Sequence, residues 1–500
     1  MQRRIELGTG ERTSARRRGM AVIFVLGLLS MTLAVSYALV RSQVIGLMGQ
    51  ANFGRRADAR QAAYTGLSAA LQRMHQSSWT GVDTSLTGTL GTDASYAAAY
   101  TTGDPELTAA STDAGDWPYR TTITTTGYAV DASTGGATTT YALRAVVRLA
   151  PRQLAANPSA WSTMLPFVVF QTDTDAVSLQ LPFRFEGPVR LQGSLSIASS
   201  YPSPSNCRLR YFGDLNAMRS DGFADFRPFD GPVTLPFAST GTSTRSLLTT
   251  TLGITLTDGA GAATSNWNAP GSTSTYRLYP GGRTYTAVAL ASAVSGTTLA
   301  ADPRTNPAGI FLRQGDVSFG ANTTIVGTVV STGDVTFNGA NISITPELMA
   351  PLDGTTVGHR LPAVVAADDV YVQPGASAAV FGNVVAFDDF ESLAGTQATT
   401  FDLRGRLIAR HPVIGSRSEW NSGSFLWSIY WTLFGDLRVP EYLPAYMQRV
   451  WGMSYTPRLT VRAWSDPAAS QWYSPSSPLY SIPSGDPGLR WTLMKIRELP

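Results

Sequence analysis

Gly315-Asp316-Val317-Ser318-Phe319 returns eighteen residues on as Gly333-Asp334-Val335-Thr336-Phe337, and a related copy, Asp369-Val370-Tyr371-Val372, begins another 35 residues along. Between these copies Ile325-Val326-Gly327-Thr328-Val329-Val330 parallels Val380-Phe381-Gly382-Asn383-Val384-Val385. Side chains alternate between the two faces of a strand, so Val317 and Phe319 share one face and Ser318 takes the other. Short alternating strands that end in Gly or Asn are what a β-solenoid needs, because small turn residues let the chain corner tightly between coils. Residues 310–410 are therefore expected to form β-helix-like repeats, with Phe183 to Ile197 as a candidate extension. A meandering β-sandwich accounts for the same alternation.

Outward from this block the chain changes character in both directions. On the C-terminal side Trp420, Phe425, Trp427, Tyr430, Trp431, Phe434, Tyr442 and Trp451 crowd together. Phe425 to Phe434 is too short to cross a bilayer, so residues 411–500 are expected as an aromatic-rich cap over the apolar end of the repeats. An exposed partner surface carried by Trp427 and Trp431 is the alternative. The last run, Trp491 to Ile496, is expected to complete a sheet. On the N-terminal side, residues 167–309 are an irregular β-region: Phe167 to Thr172 and Val189 to Ile197 favour strands, Gly187-Pro188 and Gly231-Pro232 break them, and Ser239 to Thr275 reads as surface loop. Residues 77–166 are expected as a small β-domain. Within it Tyr119 to Val130 and Thr138 to Leu149 form a hairpin about the turn 131–136. Ser77 to Asp116 shows little pattern, and Pro151 to Pro166 reads as a connector.

The strongest topological signal lies further upstream. Met20 to Val40 runs without a charged side chain and ends at Arg41. As a helix rising 1.5 Å per residue it would be about 31 Å long, the thickness of a hydrocarbon core. An arginine at its centre would cost roughly 2.5–3.5 kcal/mol, so the absence of charge is informative. Met20, Val25, Leu29, Leu33 and Val40 sample the lipid-facing surface. Arg16, Arg17 and Arg18 precede the run and are expected to hold the N-terminus in the cytoplasm, sending all that follows outward. No proline occurs before Pro105, so the helix is expected to continue to about Gln76 (residues 20–76). Its outer half carries a stripe of Tyr64, Leu67, Leu71 and Met74.

These residues carry a resemblance. Arg16-Arg17-Arg18-Gly19-Met20, followed at once by Ala21-Val22-Ile23-Phe24-Val25-Leu26, resembles a prepilin-type signal. Ala57 to Leu71, rich in alanine and containing Gly66-Leu67, resembles the helix of minor pilins, most closely pilus-assembly proteins of the PilX type and the K-type pseudopilins of type II secretion. The resemblance spans about residues 12–80. It implies cleavage between Gly19 and Met20 by a prepilin peptidase and retention of the apolar helix for contact with other pilin-like subunits. Two features depart from the family pattern: Phe24 stands where most major pilins carry glutamate, which favours a minor subunit, and Met20 is an unusual first residue. An uncleaved signal anchor, with residues 1–19 as a plain basic leader, is the alternative.

Composition narrows the function classes. Charged residues make up 15% of the chain, net charge is +3, and Lys495 is the lone lysine; the arginines beyond the leader are scattered, so no basic stripe suggests nucleic acid. One cysteine, Cys207, allows no internal disulfide, and His75, His359 and His411 have no metal-ligand spacing. Asp368-Asp369 and Asp388-Asp389 are the conspicuous carboxylate pairs. Neighbours on a strand point to opposite faces, so neither pair alone places two carboxyls across a groove as glycoside hydrolysis requires, and turn aspartates bonded to backbone account for them. No P-loop, nucleophile elbow or zinc-protease helix is present. The expectation is a mainly β protein with one long N-terminal transmembrane α-helix and an ectodomain of short β-solenoid plus antiparallel sheet. It is expected to be anchored in the inner membrane with its ectodomain periplasmic or extracellular, and to be a structural or assembly subunit without catalytic residues, metal or cofactor. An envelope adhesin or scaffold, and after it a polysaccharide-acting enzyme, are the alternatives.

Overall fold

A computed structural model describes residues 14–76, 79–130, 138–150, 167–199 (except 174, 176, 182, 188 and 192–194), 255–257, 275–349 (except 280), 358–414 (except 359 and 394–398), 459–466 and 490–499. The chain opens with helix α1, Ser14–Met74, unbroken for 61 residues. Its freedom from proline permits that length, and its last turn tightens as the N–H groups of His75 and Gln76 donate to the carbonyls of Gln72 and Arg73.

After α1 come β1 (Ser85–Leu90) and β2 (Ala94–Thr102), then β3 (Arg120–Val130) and β4 (Thr138–Ala150), joined antiparallel in that order. The expected hairpin is β3 and β4, in register from Arg120↔Arg148 to Val130↔Thr138. The pair β1 and β2 falls in the segment that shows little pattern. Ser85–Leu90 is a half-exposed edge strand of Ser, Thr, Leu and Gly, and pairing with β2 rather than its own propensity fixes it. The fifth strand of this sheet is the C-terminal Arg490–Leu499, antiparallel to β4 with a register shift between Leu493 and Lys495. This last strand thus completes a sheet begun some 400 residues earlier.

Everything described between β4 and that last strand, apart from a small antiparallel sheet of Thr255–Thr257, Thr275–Arg277 and Tyr285–Thr286, joins three parallel sheets. Consecutive strands visit the sheets in rotation. Val317–Phe319, in the second sheet, is followed by Thr324–Val326 in the third, Thr328–Ser331 in the first and Val335–Phe337 back in the second. The sequence repeat is this rotation. Val317 and Phe319 lie against Val335 and Phe337, which lie against Val370 and Val372. Pairing is parallel from rung to rung, where a meandering sandwich would pair antiparallel.

The rungs are not in chain order. Leu407–Ala409 of the first sheet pairs not with later residues but with Val169–Gln171, and Leu459–Arg462 of the third pairs with Phe183–Glu186. Strands within 167–309 and 411–500, expected to be irregular or capping, therefore extend the same three sheets: 169–199 at one end and 288–300 at the other. The aromatic cluster 420–451 lies outside the described residues.

Inside the three sheets, phenylalanines stack across rungs, with Phe319–Phe337 centroids 5.9 Å apart, Phe337–Phe401 5.2 Å and Phe390–Phe401 5.6 Å. The second sheet alternates buried and half-exposed residues, as one wetted face demands. The first is buried on both faces over its central strands, which explains the doublets Val329-Val330 and Val364-Val365. Val329 and Val364 fill the interior, while Val330 and Val365 join a second core with Leu149, Met74, Tyr279 and Trp491. That second core fuses the helix-and-sheet unit to the parallel body. Corners need special backbone. Gly382 adopts φ +110°, and a Cβ at Gly405, on the next rung, would come within 1.9 Å of the Gly382 carbonyl oxygen. At another corner Asn322 and Asn341 are left-handed and bonded to each other at 3.1 Å.

Candidate functional site

Two features stand out chemically: the uncovered half of α1 and a column of aspartates on the parallel body. Along Met20–Val40 every residue is exposed; Met20, Val25, Leu29, Leu33 and Val40 are 57–71% accessible. An apolar surface of this extent, with none of the described residues packed over it, is stable in water only if something else covers it. The span is long and apolar enough to cross a membrane. Polar groups inside it are partly self-satisfied: the Ser30 and Thr32 hydroxyls donate to the carbonyls of Gly27 and Leu29, both at 2.9 Å, the arrangement a low-dielectric surrounding requires. Arg16, Arg17, Arg18 and Gly19 occupy the first turns of the helix, next to Met20.

The other half of α1 is held by its own domain, on a face that keeps Leu67, Leu71 and Met74 of the expected stripe but is centred on small residues and leaves Tyr64 at its edge. Ala59, Ala62, Ala63, Leu67, Ala70 and Met74 are buried, whereas Tyr64 is 38% exposed, at the edge beneath the Arg60 guanidinium. Backbone closeness is the reason. A Cβ on Gly127 of β3 would sit 2.0 Å from the Ala59 carbonyl oxygen, and one on Gly66 2.6 Å from the Thr125 methyl. Helix and sheet touch main chain to main chain, so only Ala and Gly fit at the centre. The alanines and glycine at three-four spacing are the signal for the centre of this face, with Leu67 and Met74 filling its far end.

At its far end the helix meets an aromatic cluster. Trp79 lies edge-on to Tyr100 (5.9 Å) and Trp491 (5.4 Å), and Tyr279 lies edge-on to Trp491 (5.8 Å). The Tyr100 hydroxyl donates to the Ala70 carbonyl, and burial pushes its pKa up to about 12. Tyr279 reaches the Pro118 carbonyl, Val82 N–H donates to the Gly281 carbonyl, and Arg304 donates to the Leu107 carbonyl. The parallel body is thus clamped at the end opposite the apolar half.

The aspartates form a ladder across rungs. Asp316 Oδ1 accepts the Asp334 N–H (3.0 Å), Asp334 Oδ1 the Asp369 N–H (3.2 Å), and Asp369 Oδ1 the Asp389 N–H (2.7 Å). Asp334, Asp368 and Asp369, and one rung on Asp369, Asp388 and Asp389, bring carboxylate oxygens within 4.8 Å of one another. Alternation along a strand does not separate Asp388 from Asp389 because the strand begins only at Asp389 and Asp388 sits on the corner. Burial, reinforced by neighbouring carboxylates, raises the pKa values of Asp334, Asp368 and Asp389. Counter-charge gathers at one end, where Arg410 bonds Asp173 (2.6 Å) and Asp388 (2.9 Å) and His411 Nδ1 stands 3.6 Å from Asp389. Such oxygens suit a proton or a hard cation. Both oxygens of Asp369 are already taken, Oδ1 by the Asp389 N–H and Oδ2 by the Tyr371 hydroxyl at 2.5 Å, so the central member works as a rung-to-rung tie. Of the two aspartate pairs, Asp369 bonds backbone, and it does so across rungs instead of within a turn, whereas the Asp388 carboxylate bonds Arg410.

His75 and His411 lie far apart, on the helix end and the second sheet. Trp427, Trp431, Cys207 and His359 lie outside the described residues. No protein-family model, curated protein or solved structure matches the chain.

Proposed function

We propose that this protein is a membrane-anchored, exported structural or assembly subunit of the minor pilin or pseudopilin kind. The observation that carries the reading is the division of α1: from Met20 to Val40 it is apolar and exposed on every side, and its second half is docked by small residues onto a five-stranded antiparallel sheet. A prepilin-like junction at Gly19–Met20 stands at the start of the apolar half. In this mechanism Arg16, Arg17 and Arg18 keep the leader in the cytoplasm, a prepilin peptidase cuts after Gly19, and Met20–Val40 rests in the inner membrane until it packs with the helices of other pilin-like subunits. The three parallel sheets are read as a β-solenoid inserted between β4 and the last strand of the pilin-like sheet. That insertion carries a large surface outward at the end of the body remote from the membrane. The aspartate column is assigned a structural and not a catalytic part, and neither nucleic acid nor a cofactor enters the mechanism.

Mass spectrometry of the protein recovered from the cell envelope tests the proposal. The expected N-terminus is Met20, carrying an N-methyl group. A chain starting at Met1 and still membrane-bound would shift the assignment to an adhesin or scaffold on a signal anchor.

A further inference from the structure

The face of the antiparallel sheet turned away from α1 is cationic. Arg120, Arg144, Arg148, Lys495 and Arg497 share it, because they pair across neighbouring strands at the same pleat parity. The segment between β2 and β3 folds over this face and supplies acids. Arg120 meets Asp104 (3.3 Å), Asp113 (3.2 Å) and Asp116 (3.5 Å); Arg148 meets Asp116 (2.9 Å); Lys495 meets Asp104 (2.9 Å) and Glu106 (2.6 Å); Arg497 meets Glu106 (2.6 Å). Four carboxylates thus serve four of the five cations. Arg144 has no ion-pair partner among the described residues.

Arg144 opens instead into a cleft of about 390 Å³ at the junction with the parallel body, lined also by Thr101, Thr124, Trp117, Arg304 and Asp104, whose carboxylate is 2% exposed and neutralised by Arg120 and Lys495. The size falls within the range of small-ligand pockets, about 300–1,000 Å³. Its walls differ in chemistry. Trp117, half-buried and lying against Gly103, gives a rigid apolar wall; a Cβ on Gly103 would come within 2.1 Å of the indole. On adjacent strands the Thr124 hydroxyl offers a donor and an acceptor, and the Thr101 hydroxyl, which donates to the Thr122 carbonyl at 3.4 Å, offers an acceptor. Arg304 also lines it, its guanidinium 6.0 Å from the Trp117 ring centroid. A free guanidinium, flanking hydroxyls and an indole wall match one ligand class in all its parts: a ring with an apolar face, several hydroxyls and one carboxylate.

We propose that this cleft binds a carboxylate-bearing sugar unit of a surface glycan, its carboxylate on Arg144 and its hydroxyls toward Thr101 and Thr124. The inference stands apart from the pilin-like reading, since it needs an ectodomain exposed to glycan but no filament.

The test titrates full-length protein in detergent micelles with glucuronate by calorimetry, alongside glucose, the dipeptide Gly-Gly and inorganic phosphate. Glucuronate should bind, with glucose, Gly-Gly and phosphate each about tenfold weaker or more. Arg144→Gln should weaken glucuronate about tenfold or more, and Arg144→Lys less. Thr124→Val, which leaves every ion pair in place, should also weaken it. No glucuronate binding at millimolar concentration, or unchanged affinity in both Arg144→Gln and Thr124→Val, would overturn the proposal. Phosphate binding as tightly would mark a simple anion site, and Gly-Gly binding as tightly would mark a peptide-carboxylate site; either result overturns the sugar assignment.

Discussion

Gly127→Ala should be among the most damaging single-methyl changes in the molecule. The added carbon would lie 2.0 Å from the Ala59 carbonyl oxygen and 2.5 Å from the Ala63 nitrogen. Ordinary contact begins near 3.4 Å, so the helix must retreat by about 1.4 Å, and neither partner is a side chain that can swing aside. A gap of 0.5–1 Å already forfeits about a quarter to a half of a dispersion well. Here the gap would open along the line of Ala59, Ala62, Ala63 and Ala70. Overpacking of this kind costs about 1–3 kcal/mol, and the rigid partners place this site near the upper end, a large share of a total stability of about 5–15 kcal/mol. The assay is denaturant unfolding in detergent followed by near-ultraviolet circular dichroism. Gly54→Ala is the control: nothing lies within 4 Å of that added carbon, and removing a helical glycine should stabilise by up to about 1 kcal/mol. Gly127→Ala unfolding within about 0.5 kcal/mol of wild type would refute the claim that main-chain contact seats the helix.

Two further outcomes follow from the charges. Asp104 is 2% exposed between Arg120 and Lys495; burial opposes its ionisation, but the bonds from Lys495, the Glu106 N–H and Arg120 still hold its pKa below the usual value. Asp104→Asn should therefore destabilise on the order of 3 kcal/mol by leaving buried cations undercompensated, whereas breaking the exposed Arg60–Glu498 pair should change little; parallel denaturant titrations decide this. The aspartate column should respond to pH in the opposite sense from Asp104. Burial, with like charges beside it, raises the folded-state pKa of Asp334, Asp368 and Asp389, so their contribution is complete below the unfolded carboxylate pKa, about 3.9, and is lost as pH rises through the folded values. The parallel body of wild type should melt higher just below those folded values than at pH 7, and Asp368→Asn should flatten the difference; a pH series of melting curves showing no flattening would count against the column as a linked array.

How much of this was legible beforehand depends on whether neighbours in sequence are neighbours in space. The hairpin of β3 and β4 and the stacking of Val317 on Val335 could be read directly, because each is a local pattern repeated at short range. The aspartate ladder was half legible: Asp316 and Asp334 hold the same place in two repeats, but that their carboxylates tie successive rungs needed the register between coils. Tyr64 misleads because size does not mark the centre of the buried face, where the sheet approaches so closely that only alanine and glycine fit.

Length and lack of charge from Met20 to Val40 determined, without any coordinates, that an apolar rod opens the chain, since transfer of each side chain out of water is a property of that residue alone. The repeats likewise dictated short strands with tight corners. Only the tertiary structure decided that Val169–Gln171 follows Leu407–Ala409 in the stack and that Arg490–Leu499 closes the antiparallel sheet of β1 to β4. Those are pairings between residues hundreds of positions apart, selected by the fit of whole surfaces, and no local pattern encodes them.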